Sequence, residues 1–332
     1  MKTLALRSAA ERREVFSATA TAMAIRPAAA EKDFWLCWVL MQVFEERTLA
    51  ACLRFKGGTC LSKCFNLIQR FSEDIDLILD WTQVTDIDPL APRSKTQQDK
   101  LNQQMNSQAQ AFIAQTILPK LLSVIAPVCT AAIDNEDPHT INIQYPAEFA
   151  AGYLRPQIRL EIGPLAAMMP MGIYPVTPYA AEKFPKLFVQ PSIHVSAIKP
   201  ERTFWEKLTI LHAEAHRPET KSMPSRYSRH YYDAYQLAIN PSVNHALNDM
   251  AMLQQVVEFK QRFYPSSWAS YETAAAGTFK LRPSEHHLLK LKQDYKEMGE
   301  MIFGVKPSFE EMLETLAAVE QQINALHAGD RN

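Results

Sequence analysis

Apolar residues first recur along the chain with helical spacing. Residues 5–22 and 31–49 read as two helices separated by "RPAAAEKD", with Pro27 ending the first. Residues 51–55 are a short connection into Gly57–Gly58, after which Leu61, Phe65 and Ile68 carry helical spacing through residue 69. At Asp74 the period changes to two. Ile75, Leu77 and Leu79 alternate with Asp74, Asp76 and Ile78, the pattern of a strand with one buried face. A polar loop at 81–96 leads into a long helix at 97–126, and two strands flank a turn at 135–138. "QIRLEIG" at 157–163 is another strand, with Ile158, Leu160 and Ile162 on one face and Arg159 and Glu161 on the other. Prolines crowd residues 164–191, where little beyond a short strand is expected. From Pro200 the pattern is helical over 200–216, 225–239, 243–263, 283–300 and 307–327. Pro200 suits a helix start, because its missing N–H would be unpaired there anyway. The expected fold is α+β. A small mixed sheet flanked by helices occupies 1–195, and an all-helical part occupies 196–332.

Composition narrows the function classes. A chain of 332 residues with 47% hydrophobic and 21% charged residues has material for a sizeable core and is not of the disordered class. The net charge of −1 means that a nucleic-acid partner needs a local basic patch, such as Lys183, Lys186 and Lys199, or Arg226 and Arg229 among tyrosines. Five cysteines form no CxxC pair. Cys60 and Cys64, one helical turn apart, read as small buried residues rather than a ligand pair, and a reducing cytoplasm fits. Charges at Glu11, Arg12, Arg13 and Glu14 interrupt any signal-peptide core. The most apolar run, 34–44, is too short to span a bilayer, so no membrane role is expected.

The chemistry concentrates in "KGGTCLSKCFNLIQRFSEDIDLILD", residues 56–80. Asp74 and Asp76, at i and i+2 of a strand, project from one face, where like charges repel unless a cation offsets them. A hard divalent cation, Mg²⁺ or Mn²⁺, fits such a pair and leaves positions open for phosphate oxygens. An edge strand with its polar face in water is the plainer alternative. Gly57–Gly58–Thr59 opens the preceding helix, where backbone amides suit a phosphate, with Thr59 or Ser62 as hydroxyl donor. Glu161, on a strand of the same alternation, is the third carboxylate. Three carboxylates can hold two metal ions about 3.5–4 Å apart for phosphoryl transfer. Otherwise Glu161 is a salt-bridge partner of Arg159. Further on, Thr203, Lys207, Ile210 and Glu214 share one side of a helix, with Phe204, Leu208 and Leu211 on another. In the next helix Arg226, Arg229, His230 and Asp233 form a polar stripe, which is either an intrahelical ion-pair face or a site in which Asp233 orients Lys207 or binds base or ribose.

"LRFKGGTCLSKCFNLIQRFSEDIDLIL" resembles the signature of the AbiEii/AbiGii toxin nucleotidyltransferases, the family of the MenT toxins, within the DNA polymerase β-type nucleotidyltransferase superfamily. "AAEKDFW" (29–35) resembles that family's N-terminal element, and "KPERTFWEKLTILHAEAHR" (199–217) and "RYSRHYYDAYQL" (226–237) resemble its later blocks, so that the likeness spans residues 29–240. The interval from Thr59 to Asp74 is longer than the superfamily's usual one and fits the AbiEii-type branch. The resemblance implies a polymerase β-like nucleotidyltransferase domain whose active-site cleft the helical part completes. Asp74 and Asp76 match the metal-binding acids, with Ser72 two residues before the first of them. Lys207 and Asp233 match the catalytic lysine and the last acid, and Gly57, Gly58, Thr59 and Ser62 match the phosphate-binding turn.

Two function classes follow. The first is an Mg²⁺- or Mn²⁺-dependent enzyme moving a nucleoside monophosphate from an NTP to an acceptor hydroxyl, with Glu161 in the metal cage or as base and Arg229 on phosphate. The resemblance implies the toxin of a toxin–antitoxin pair used in phage defence, with an AbiEi-like antitoxin and an RNA acceptor such as a tRNA 3′ end. The second is a nucleotide- or partner-binding protein without turnover on the same fold.

Overall fold

A computed structural model describes residues 1–150 and 154–329. The chain divides into two compact units, Met1–Asn66 with Phe71–Ile198, and Leu67–Arg70 with Lys199–Asn332.

The first unit is built on seven strands: β1 (Leu53–Lys56), β2 (Asp74–Leu79), β3 (Thr130–Ile133), β4 (Thr140–Gln144), β5 (Ile158–Gly163), β6 (Met171–Val176) and β7 (Ile193–Ile198). They form one mixed sheet in the order β3-β4-β5-β2-β1-β7-β6. β2 pairs parallel with β5, β1 pairs parallel with β7, and the remaining neighbours are antiparallel. β2 therefore lies at the centre, with Ile75, Leu77 and Leu79 in the core and Asp74 and Asp76 on the opposite, half-open face. β7 was not expected. Ile193, Val195 and Ala197 alternate inward behind the proline-rich stretch, and Pro175 is tolerated because β6 is an edge strand.

The helices of this unit are α1 (Lys2–Ala5), α2 (Ala9–Met23), α3 (Pro27–Glu45), α4 (Arg47–Cys52), α5 (Gly57–Lys63), α6 (Lys95–Phe112), α7 (Leu118–Ile125) and α8 (Tyr179–Lys183). Pro27 begins a helix rather than ending one. α2 stops where Ala24 turns left-handed, and Pro27 occupies the first turn of α3, where its locked φ is already helical. α3 is apolar on nearly all sides from Phe34 to Val43 and is buried accordingly. The long helix expected at 97–126 is interrupted by a π turn at Ile113–Ile117, just before Pro119, whose missing N–H breaks the regular ladder. No helix among the described residues is long and apolar enough to cross a membrane.

α5 is shorter than the spacing of Leu61, Phe65 and Ile68 predicts. Asn66 takes a left-handed φ of 51°, and Leu67–Arg70 then belong to the second unit. The helical spacing was the sum of two segments that bury their apolar residues in different cores. The second unit carries α9 (Pro200–Ala215), α10 (Ser228–Ile239), α11 (Met250–Phe263), α12 (Glu285–Met298) and α13 (Phe309–Gly329). α10 packs on α9, α12 and α13. α9 is buried on both of the sides the sequence distinguishes: Phe204, Leu208 and Leu211 are fully enclosed, yet Thr203, Lys207 and Glu214 are buried as well. Its polar side is covered because it is paired, Glu214 by a bidentate Arg217 and Lys207 by Asp233.

Candidate active site

In the first unit the glycine turn and the acid pair are adjacent. β1 runs antiparallel to β2 with Lys56 opposite Asp76, so the residue after Lys56 enters α5 directly against that aspartate. Gly57 has φ +81°, and a Cβ built on it would lie 2.0 Å from Asp76 Oδ2, 2.7 Å from Cγ and 3.0 Å from Cβ. Only glycine satisfies both the backbone angle and this approach. No side chain caps the first turn of α5, which leaves early amides of the Gly57–Gly58 turn to be satisfied from outside the helix. Thr59, expected as a hydroxyl donor to phosphate, is buried and donates to the Asp74 main-chain carbonyl at 2.5 Å. Its single hydroxyl proton is committed there, so it braces α5 against β2. Ser62 hydrogen-bonds the Tyr179 hydroxyl. Cys60 is buried and its thiol is pushed well above the ordinary range by that burial, the property of a packing residue.

Asp74 is only loosely compensated. Its Oδ1 is buried without a hydrogen-bond partner, and Arg155 Nη1 approaches only to 3.8 Å. Burial first, then the neighbouring Glu73 carboxylate, raise its pKa against the pull of Arg155, and Asp76 adds to the rise. Two oxygen donors with an excess of negative charge fit a hard divalent cation of the Mg²⁺ or Mn²⁺ kind. Glu161 stands beside Asp76 in the parallel β2–β5 register and on the same face. Its Oε1 lies 3.5 Å from Arg159 Nε, and Arg159 also reaches Asp134 Oδ2 at 3.4 Å. Among the described residues no three His, Cys, Asp or Glu side chains are gathered so as to hold a metal ion. The expected three-carboxylate cage of Asp74, Asp76 and Glu161 is thus not assembled, and the Arg159 pairing weighed for Glu161 is the one present. Ser72, half-buried, precedes Asp74 by two residues.

The triplet Glu31–Lys32–Asp33 on α3 fastens the segments around these acids, and all three side chains are buried. Glu31 accepts from the Glu148 and Phe149 amides at 2.7 and 3.2 Å. Lys32 donates to Glu73 Oε2 at 2.7 Å and to the Arg155 carbonyl at 2.9 Å. Asp33 accepts from Lys63, at the end of α5, at 2.7 Å and from the Tyr179 amide at 2.6 Å. Periodicity could not assign these residues, since charges inside an otherwise apolar helix give no clue to their partners.

The second unit holds its own charged cluster. Asp233 is fully enclosed. Arg70 grips its two oxygens at 2.7 and 2.8 Å, and Lys207 Nζ lies 2.8 Å from Oδ2. Burial alone would raise the Asp233 carboxyl, but Arg70 and Lys207 outweigh it and hold it well below the carboxylate range. Lys207 also reaches His230 Nδ1 at 3.2 Å. Burial, then Lys207, keep that imidazole neutral. The stripe on α10 is therefore not an intrahelical ion-pair face. Asp233 pairs with Lys207, one of the arrangements the sequence allowed, and Arg70 occupies both of its oxygens. Arg229 is exposed on the same helix. Arg70 escaped sequence reasoning, although an arginine among Leu67, Ile68 and Phe71 signals a buried cation in need of an acid.

A central strand that sets two aspartates against a glycine turn, in an α+β chain with a helical C-terminal part, is the layout of a nucleotidyltransferase. A family profile describing the nucleotidyl transferase AbiEii toxin of type IV toxin–antitoxin systems matches residues 38–315, and the chain belongs to this family. The match begins after the Glu31–Asp33 triplet and runs well beyond residue 240 into the C-terminal helices. Among solved structures, the chain is similar to MenT4, a nucleotidyltransferase toxin from Mycobacterium tuberculosis H37Rv, at 15% identity and a TM-score of 0.46, over 95% of this chain and 98% of that one. No curated protein matches it in sequence.

Proposed function

We propose that the protein transfers a nucleoside monophosphate from an NTP to an acceptor hydroxyl and releases pyrophosphate. The observation that carries this reading is the contact of Gly57 with Asp76, which puts a turn of backbone amides directly against the acid pair. Asp74 and Asp76 are the residues that would hold Mg²⁺ or Mn²⁺. When bound, the cation supplies charge neutralisation to the triphosphate. The Gly57–Gly58 amides cradle phosphate oxygens, joined by Ser62 once it leaves the Tyr179 hydroxyl, Ser72 borders them, and Glu161, released from Arg159, serves as a further metal ligand or accepts the acceptor's proton. Within the helical unit, taken by itself, Lys207 held by Asp233 and the exposed Arg229 are the cations suited to phosphate.

Family membership supports the toxin role. The cognate antitoxin is proposed to be AbiEi-like, the acceptor an RNA with the tRNA 3′ end as first candidate, the setting phage defence, and the compartment the cytoplasm. The test is incubation with each α-labelled NTP, Mg²⁺ and total tRNA. Label transfer that disappears in Asp74→Ala and in EDTA is expected. Tight NTP binding with no transfer to any acceptor would make the protein a binding module instead.

A further inference from the structure

Arg155 stands just before β5 with its main chain held at both of its polar groups. Its amide donates to Glu73 Oε2 at 2.9 Å, and its carbonyl accepts from Lys32 at 2.9 Å. Glu73 and Lys32 are themselves joined at 2.7 Å and excluded from water. A buried ion pair is a weak source of stability, because desolvation offsets the attraction. What this pair does contribute is position, since one lysine and one glutamate fix the peptide units on either side of a single residue. The guanidinium is 42% exposed, and it stops 3.8 Å from Asp74 Oδ1, too far for a hydrogen bond. An arginine serving only to neutralise Asp74 would close to a bidentate pair, as Arg70 does on Asp233. Arg155 instead makes only a loose ion pair with the acid and no hydrogen bond to it. A planar guanidinium is suited to phosphate oxygens, and it becomes available when another cation takes its place at the carboxylate.

We propose that Arg155 is a phosphate-binding residue of the nucleotide site, resting beside Asp74 and moving onto the triphosphate when the carboxylates take a divalent cation. Lys32 and Glu73 are the positioning residues that hold its main chain. This inference rests on the nucleotidyl-transfer reading above and adds a residue to it.

Mn²⁺ alone and inorganic tripolyphosphate with Mg²⁺ are the probes, titrated into the full-length protein by electron paramagnetic resonance and by calorimetry. Neither requires turnover or knowledge of the base. Arg155→Met should weaken tripolyphosphate about tenfold or more, the scale of one lost charge-assisted contact. The same variant should bind Mn²⁺ at least as tightly as the parent, because a competing cation has left Asp74. Arg155→Lys should recover part of the tripolyphosphate affinity. A residue with only a structural role would weaken both probes together, with no rescue by lysine, and that result overturns the proposal. Unchanged tripolyphosphate affinity in Arg155→Met overturns it too. If the parent binds both probes and Asp74→Asn abolishes Mn²⁺ binding while Arg155→Met is silent, this inference alone fails. If the parent binds neither probe, the reading of the site fails with it.

Discussion

The packing of Gly57 against Asp76 can be measured as a coupling energy. Gly57→Ala carries two separable costs. The first is the φ of +81°, which an L-residue adopts at about 1–2 kcal/mol, whatever surrounds it. The second is steric. The new methyl would lie 2.0 Å from Asp76 Oδ2, 2.7 Å from Cγ and 3.0 Å from Cβ, against an ordinary separation of about 3.5–4.0 Å. Turning the carboxylate away relieves the first contact but not the third, so the side chain and the β1–α5 backbone must both shift, at roughly 1–3 kcal/mol. In an Asp76→Ala background the Oδ2 and Cγ contacts vanish, while the 3.0 Å Cβ contact and the φ cost stay. Urea denaturation of the parent, both single variants and the double variant should therefore give a coupling of at least about 1 kcal/mol, with Gly57→Ala milder when Asp76 is absent. Mn²⁺ titration of the single variant should show weakened binding, since the displaced carboxylate is one of the two donors. Additive stability costs within experimental error would refute the close approach, and with it the observation on which the functional reading stands.

The enclosed Asp233 should be costly to neutralise. Asp233→Asn leaves Arg70 and Lys207 buried without their shared anion and should lower stability by about 3–5 kcal/mol at pH 7. Because the folded carboxyl sits well below its ordinary value, that stabilisation is present above the unfolded pKa and is lost only as pH falls below about 4, so chemical denaturation of the two proteins should converge in acid. Asp74→Asn should act in the opposite sense on stability: it removes a largely desolvated carboxylate whose Oδ1 has no hydrogen-bond partner and should raise the melting temperature in EDTA while abolishing the stabilisation conferred by Mg²⁺. His212 is buried as the neutral ring, accepting from the Lys280 amide and donating to the Ser270 carbonyl, and burial pulls its pKa down to about 4. An unfolded histidine takes its proton near pH 6.5, so this group should withdraw up to about 2–3 kcal/mol of stability as pH falls from 6.5 towards 4, a slope that His212→Gln should flatten in urea titrations across that range.

The alternation from Asp74 to Leu79 determined that two acids share a strand face, because period two sets them opposite Ile75, Leu77 and Leu79. The strand at 158–163 was legible for the same reason, as were the helices after Pro200. Pairing was not legible. Local period states which face of an element is apolar, but it is silent on which distant segment meets the polar face. Glu161 lies opposite Asp76 in the strand register, yet its engagement with Arg159 depends on where two side chains end. Arg70 reads as the tail of a helix until the chain turns at Asn66, and only then does it become the anchor of Asp233. The triplet Glu31–Lys32–Asp33 sits in a helix whose pattern predicts burial and therefore predicts nothing about how three charges survive there. The answer lies in Glu73, Lys63 and main-chain groups 30 or more positions away. Sequence thus determined the acid pair and the glycine turn. The tertiary structure decided which charges are already committed, because a buried charge is stable only beside a partner that local spacing cannot name.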